Sequence, residues 1–243
     1  MPASFHLFGL VHLAILASVP LFAAALAAVQ RRLPAGSRGL RLALALLLFL
    51  SSAMYYGYLA LNGQLTFPGH LPLELCDASL CLTIIALLTL KPAVFDLVYY
   101  WALAGATQSL VTPNLPPSST AFLSAQFFLD HGLIVVGILY LVWSRQLRPR
   151  SGSVGRAMLG LNIYAAFVGT FDFFFKTDYM YLRAKPQTVS LLAFLGPWPW
   201  YIVAAEGVAL ALFWLLYLPF RSGNAKERNS ARLREKRDLV TPS

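Results

Sequence analysis

Cys76 and His131 are residue types from which a nucleophile and its base can be made: the imidazole withdraws the thiol proton, and a carboxylate holds the ring. Asp77, Asp130 and Glu206 are candidates for that third role. Further polar side chains interrupt otherwise apolar stretches, at His6, His12, Glu74, Gln108, Gln126 and Asp172. An ionisable group at the centre of a membrane helix costs roughly 2.5–3.5 kcal/mol, so each of these requires a partner or a task. The structural alternatives are apolar packing for the thiols and hydrogen bonds between helices for the histidines. A zinc site made of His6, His12 and His131 with an acidic residue is a competing assembly. No pair of histidines has the i, i+4 spacing of helical zinc-protease motifs, so no metal and no cofactor are expected.

The elements that position these residues follow from hydropathy. The chain has 243 residues, of which 58% are hydrophobic and 12% charged, and its mean hydropathy is +0.64. That composition leaves too little polar surface for a soluble domain and points to a lipid bilayer as the solvent. Seven windows approach the length of about 20 apolar residues that a crossing requires: 6–29, 40–61, 71–90, 93–112, 121–143, 157–175 and 200–220. Pro34, Pro68, Pro92, Pro113, Pro116, Pro117, Pro149 and Pro186 fall between them, as breakers should. Cys76 and Cys81 lie in one apolar window at different angles on a helix, which argues against a disulfide.

Charge gives an independent test. The net charge of +9 does not sit on a soluble basic face, so nucleic acid is not an expected partner. Of 19 Lys and Arg, all but Lys176, Arg183 and Lys185 fall in alternate connections or after the last window. By the positive-inside rule this predicts an all-α, polytopic membrane protein of seven transmembrane helices, N-terminus outside and C-terminus cytoplasmic. Arg31 and Arg32 follow the first window and no Lys or Arg precedes it, which marks a retained helix rather than a cleaved leader. Residues 1–220 then form the membrane domain and 221–243 a basic cytoplasmic tail. In a bacterial source the host is the cytoplasmic membrane. Residues 177–199, with Val189–Leu195 too short to span, read as an outer interfacial cap carrying Tyr181, Lys185, Trp198 and Trp200. With this topology Cys76, His131, His12, Asp77, Asp130, Asp172 and Glu206 all fall in the outer half or near the midplane. That predicts a polar cavity open outward; Asp96 and Asn162 fall toward the cytoplasmic ends, outside the set.

Several motifs carry a resemblance. Phe5-His6-Leu7-Phe8 with His12, Leu71-Pro72-Leu73-Glu74-Leu75-Cys76-Asp77, Phe127-Phe128-Leu129-Asp130-His131-Gly132, Tyr179-Met180-Tyr181-Leu182 with Lys185-Pro186, and Leu195-Gly196-Pro197-Trp198-Pro199-Trp200-Tyr201 occur in that order along nearly the whole chain. Together they resemble the YwaF-type integral membrane family, which includes a eukaryotic multi-pass acyltransferase that remodels ether phospholipids. Androgen-regulated intramembrane threonine hydrolases are more distant relatives. The chain departs from the family pattern at Glu74, Asp178 and Ala193, where His, Asn and Asp are expected. The resemblance implies a cysteine at position 76 that carries an acyl group and a histidine at position 131 as base.

The leading functional expectation is therefore an intramembrane lipid acyltransferase or acyl hydrolase with an acyl-thioester intermediate, acting on a membrane phospholipid or lysophospholipid. The alternatives are a non-enzymatic transporter or lipid-binding membrane protein that uses the same carboxylates, and a zinc-dependent lipid amidase.

Overall fold

The computed structural model describes residues 6–115, 119–186 and 191–240, with side chains up to Asn224. Pro116, Pro117 and the first residues of the Val189–Leu195 piece lie outside the described residues. The described elements are all helical: α1 (Leu10–Arg32), α2 (Ser37–Leu61), α3 (Leu75–Thr89), α4 (Pro92–Trp101), α5 (Thr107–Val111), α6 (Ala121–Trp143), α7 (Ser153–Phe175) and α8 (Trp200–Val240). One π-helical turn, Ala102–Ala106, joins α4 to α5 so that the two run as a single segment. Five helical stretches are long and apolar enough to cross a membrane, Leu10–Arg32, Pro34–Leu61, Ala121–Trp143, Ser153–Phe175 and Trp200–Asn224.

The third and fourth windows differ from the sequence expectation. Residues 71–74 are not helical, and α3 has 15 residues because Glu74 caps it: the Glu74 side chain accepts the Asp77 amide while the Asp77 side chain accepts the Glu74 amide. The fourth window is split by the π turn. α1 also begins later than expected, so His6 stands before the helix. At the other end α8 does not stop at residue 220 but continues to Val240 as one helix of 41 residues.

Packing pairs give each helix its direction. Tyr58 stacks on Phe122, and Ser51 lies beside Asp130, so α2 runs antiparallel to α6. His12 faces Phe128 and Val19 faces Gly132, so α1 and α6 are parallel. Tyr100 bonds Ser153 and Trp101 bonds the Ala157 carbonyl, which makes α4 parallel to α7. Phe213 packs on Tyr100 and Phe220 on Tyr99, so α8 returns antiparallel to α4. Small residues make the closest approaches, as expected where lipid removes the hydrophobic drive between helices and only close packing remains. A β-carbon at Gly137 would stand 2.9 Å from the Thr83 γ-methyl, which sets α3 directly against α6.

Candidate functional site

At one end of the bundle the segments around residues 66–74 and 176–184 fold over the start of α3 and lock together. The Tyr179 hydroxyl donates to the Pro68 carbonyl at 2.7 Å and accepts from the Leu71 amide at 2.8 Å. Glu74 accepts the Met180 amide at 2.9 Å, and the Tyr164 hydroxyl donates to the Leu73 carbonyl at 3.1 Å. The Tyr201 hydroxyl donates to the Tyr181 carbonyl, and Asn114 donates to the Tyr181 hydroxyl at 2.5 Å. Burial pushes the Tyr181 phenol up from its ordinary value, which keeps it a neutral hydroxyl across the physiological range.

Beneath this cover sits Cys76, the second residue of α3. Its Sγ lies 3.7 Å from Ser109 Oγ of α5. The first-turn amides of a helix have no partner within the helix. Here the Glu74 and Asp77 amides are taken by the capping box, and the Ala78 amide bonds the Glu74 carbonyl. The amides of Leu75 and Cys76 are left without a hydrogen bond among the described residues. Two unclaimed amides therefore lie in the same turn as the thiol.

His131 lies on α6. Its Nδ1 bonds the Phe127 carbonyl at 2.8 Å, with the Phe127 ring centroid 4.2 Å away. A carbonyl only accepts, so Nδ1 carries the hydrogen and Nε2 keeps a lone pair. Cys76 lies seven residues before Thr83 and His131 six before Gly137. At about 1.5 Å of rise per residue the two stand within about one residue of the same level, roughly 10.5 Å and 9 Å from the Thr83–Gly137 contact. Hydrogen-bond contact between them is not made: the thiol's partner is Ser109. Asp77 and Asp130 share that level. Gln126 donates to Asp130 Oδ2, while the buried Ser51 Oγ lies beside the carboxylate, short of a well-formed hydrogen bond.

The remaining predicted residues have different surroundings. His12 is fully buried and tied at both ring nitrogens, to the Leu110 carbonyl at 2.8 Å and the Phe8 amide at 3.0 Å. It fastens α1 to α5. Glu206 accepts from Asn162 at 3.0 Å, which brings into the polar set a residue that the sequence placed outside it. Asp172 is fully buried; its Oδ1 accepts from Thr177 at 2.6 Å and from the Tyr179 amide at 3.1 Å, whereas Oδ2 has no partner. Lys185 donates to the Ala193 carbonyl and lies over the Tyr201 ring, and Trp198 donates to the Leu182 carbonyl. Trp198 and Trp200 are largely exposed on the cap surface. Cys76 and Cys81 are both free thiols. No group of three His, Cys, Asp or Glu among the described residues is placed to hold a metal ion.

Sequence reasoning missed Ser109, and set Asp96 and Asn162 aside. One hydroxyl or amide in an apolar window carries no distinguishing signal until packing supplies its neighbour. Asp96 proves to be a fully buried anchor at the opposite end: it pairs with Arg150 at 2.6 Å and Arg156 at 2.9 Å and accepts the Arg150 amide at 3.0 Å.

Fold and site together define a multi-pass helical membrane protein with a polar centre under an ordered cap. The chain belongs to the TMEM164 family, whose sequence signature matches residues 3–217. It is also similar to an uncharacterized protein of Treponema pallidum (strain Nichols), 25% identical over 216 residues that cover 88% of this chain and 89% of that protein. No solved structure matches the chain.

Proposed function

We propose that the chain is an intramembrane lipid acyltransferase or acyl hydrolase in which Cys76 carries the acyl group. The observation that carries this reading is the setting of the thiol: second residue of a capped helix, hydrogen-bonded to Ser109, beside the two unclaimed amides of Leu75 and Cys76. The resemblance to YwaF-type proteins, with Cys76 and His131 at the matching motif positions, adds to it. The proposed orientation has seven crossings with the N-terminus outside, the α3–α6 centre and cap toward the outer face and the basic segment after Arg221 in the cytoplasm.

In the proposed cycle the Cys76 S–H proton passes to His131 Nε2 as sulfur attacks an ester carbonyl of a membrane phospholipid. The C–S bond forms, the amides of Leu75 and Cys76 hold the oxyanion, the C–O bond breaks, and the leaving lysolipid oxygen takes the proton from His131. A lysophospholipid hydroxyl or water then attacks the thioester, with its proton passing through His131 back to the thiol. Catalytic hydrogen bonds often form only once substrate is bound, and the Cys76–His131 contact is expected to be of that kind. The cap residues Tyr181, Lys185, Trp198 and Trp200 are assigned to the route by which lipid reaches the thiol.

Intact-mass measurement after incubation with phospholipid vesicles tests this directly. An added acyl chain, released by hydroxylamine and absent from Cys76→Ser, is the expected result. Saturable lipid binding without an adduct or turnover, unchanged in Cys76→Ser, contradicts it and favours a non-enzymatic lipid-binding or transport role. The buried carboxylates at this end that lack ion-paired Lys or Arg partners, Asp172 and Asp130, support that second reading.

A further inference from the structure

The turn that delivers Ser109 to the thiol is not ordinary α-helix. Between α4 and α5 the backbone takes the π-helical turn Ala102–Ala106, which places one extra residue in the helix and rotates everything after it by about 100° relative to an unbroken α-helix. Gly105, inside that turn, packs against the start of α3: a β-carbon there would lie 3.6 Å from Leu75. Ser109 comes four residues later, on the same face one turn further along, and meets Cys76 at 3.7 Å. Leu110 is turned away, buried, with its carbonyl on His12. Without the extra residue, Gln108 would occupy the position that faces the thiol and a longer carboxamide side chain would replace the hydroxyl.

We infer that Ser109 is a positioning residue for Cys76 and that the π turn exists to present it. This rests on the reading of Cys76 as the acyl carrier and deepens it. The hydroxyl fixes the rotamer of the thiol toward the free amides of Leu75 and Cys76. When the S–H proton leaves for His131, the same hydroxyl donates to the sulfur anion, a charge-assisted bond stronger than the one it makes to the thiol. No covalent step passes through Ser109. The serine contributes most once sulfur is charged, so its loss acts on the rate of acylation rather than on folding.

The test uses full-length protein in lipid nanodiscs in a Cys81→Ala background, where Cys76 is the remaining thiol. The infrared S–H stretching band and the rate of acyl-adduct formation are compared for wild type, Ser109→Ala and Ser109→Thr. The expected result is a shifted band and acylation slowed about tenfold to a hundredfold in Ser109→Ala, at unchanged melting temperature, with both restored in Ser109→Thr. An unchanged band in Ser109→Ala overturns the contact. A shifted band with acylation at the wild-type rate overturns the positioning role. If the wild type forms no adduct and turns over no lipid, the acyl-carrier reading and the role built on it both fail, whereas the band still reports the contact itself.

Discussion

Two aspartates of this protein, Asp96 and Asp172, are both fully buried, and their surroundings are opposite. Asp96 is met by the guanidinium groups of Arg150 and Arg156 and by a backbone amide. Asp172 is met by a threonine hydroxyl and a backbone amide, and one of its oxygens has no partner. Arg183 approaches, but its guanidinium bonds backbone carbonyls, including that of Asp172 itself. The first arrangement is what stability alone asks of a buried charge; the second tolerates a buried acceptor that folding does not satisfy. The neighbourhoods of the two aspartates differ in the same way. Around Asp96, Tyr100 is tied to Ser153, Trp101 to the Ala157 carbonyl and Asn224 to the Pro149 carbonyl, although Gln30 Oε1 and Arg41 Nε toward that end are buried without a hydrogen bond; at the level of Cys76, Asp130 Oδ1 and Ser51 Oγ form no full bond. Fixed polar groups hold a structure, and open ones are available to a substrate.

Substitutions sharpen or break that comparison. The largest effect is expected at the thiol level: Cys76→Ser and His131→Ala should each reduce lipid acyl transfer by at least about 100-fold in vesicle assays. Their melting temperatures should stay close to wild type. Full activity in either variant would remove the proposed chemistry from this end. Next in size, Asp96→Asn should lower stability by about 2–3 kcal/mol in detergent unfolding, because two guanidinium groups lose their shared counter-charge. That figure sits below the value for a fully buried pair because both arginines are half-exposed and regain water.

Gly137→Ala tests the spine that aligns the two halves of the site. Its β-carbon would press within 2.9 Å of the buried Thr83 side chain, so about 1–3 kcal/mol of stability should be lost, with activity falling as α3 and α6 separate. Replacing Thr83 with serine in the same chain should recover part of the loss. The smallest stability effect belongs to Asp172→Asn. The amide oxygen retains the bonds from Thr177 and Tyr179, and removal of an unpaired buried charge should leave stability within about 0.5 kcal/mol of wild type or raise it.

The sequence made the membrane solvent legible, because apolar run length and charge asymmetry are properties of composition along the chain. It also singled out Cys76, His131, Asp130 and Asp172, since ionisable or reactive groups in apolar windows stand out without any structure. What it could not supply were the partners. The capping of α3 by Glu74 and Asp77 shortens a window that hydropathy alone extends to residue 71. The π turn that splits the fourth window leaves no mark in a run of Ala, Leu and Gly. His12 read as a cavity residue because burial and a two-sided hydrogen bond to Phe8 and Leu110 are tertiary facts. Asp96 read as peripheral for the same reason, since Arg150 before α7 and Arg156 in its first turn reach it from more than fifty residues away in sequence.

If the Asp96 anchor holds the structure and the proposed chemistry belongs to the other end, the two buried aspartates respond differently to loss of their charge. The melting-temperature difference between Asp96→Asn and Asp172→Asn, measured in the same detergent against wild type, tests it most directly. The expected result is a clear fall for Asp96→Asn and no fall, or a rise, for Asp172→Asn. Equal destabilisation by both substitutions would show that the cap-end carboxylate is as structural as the other and would contradict the division.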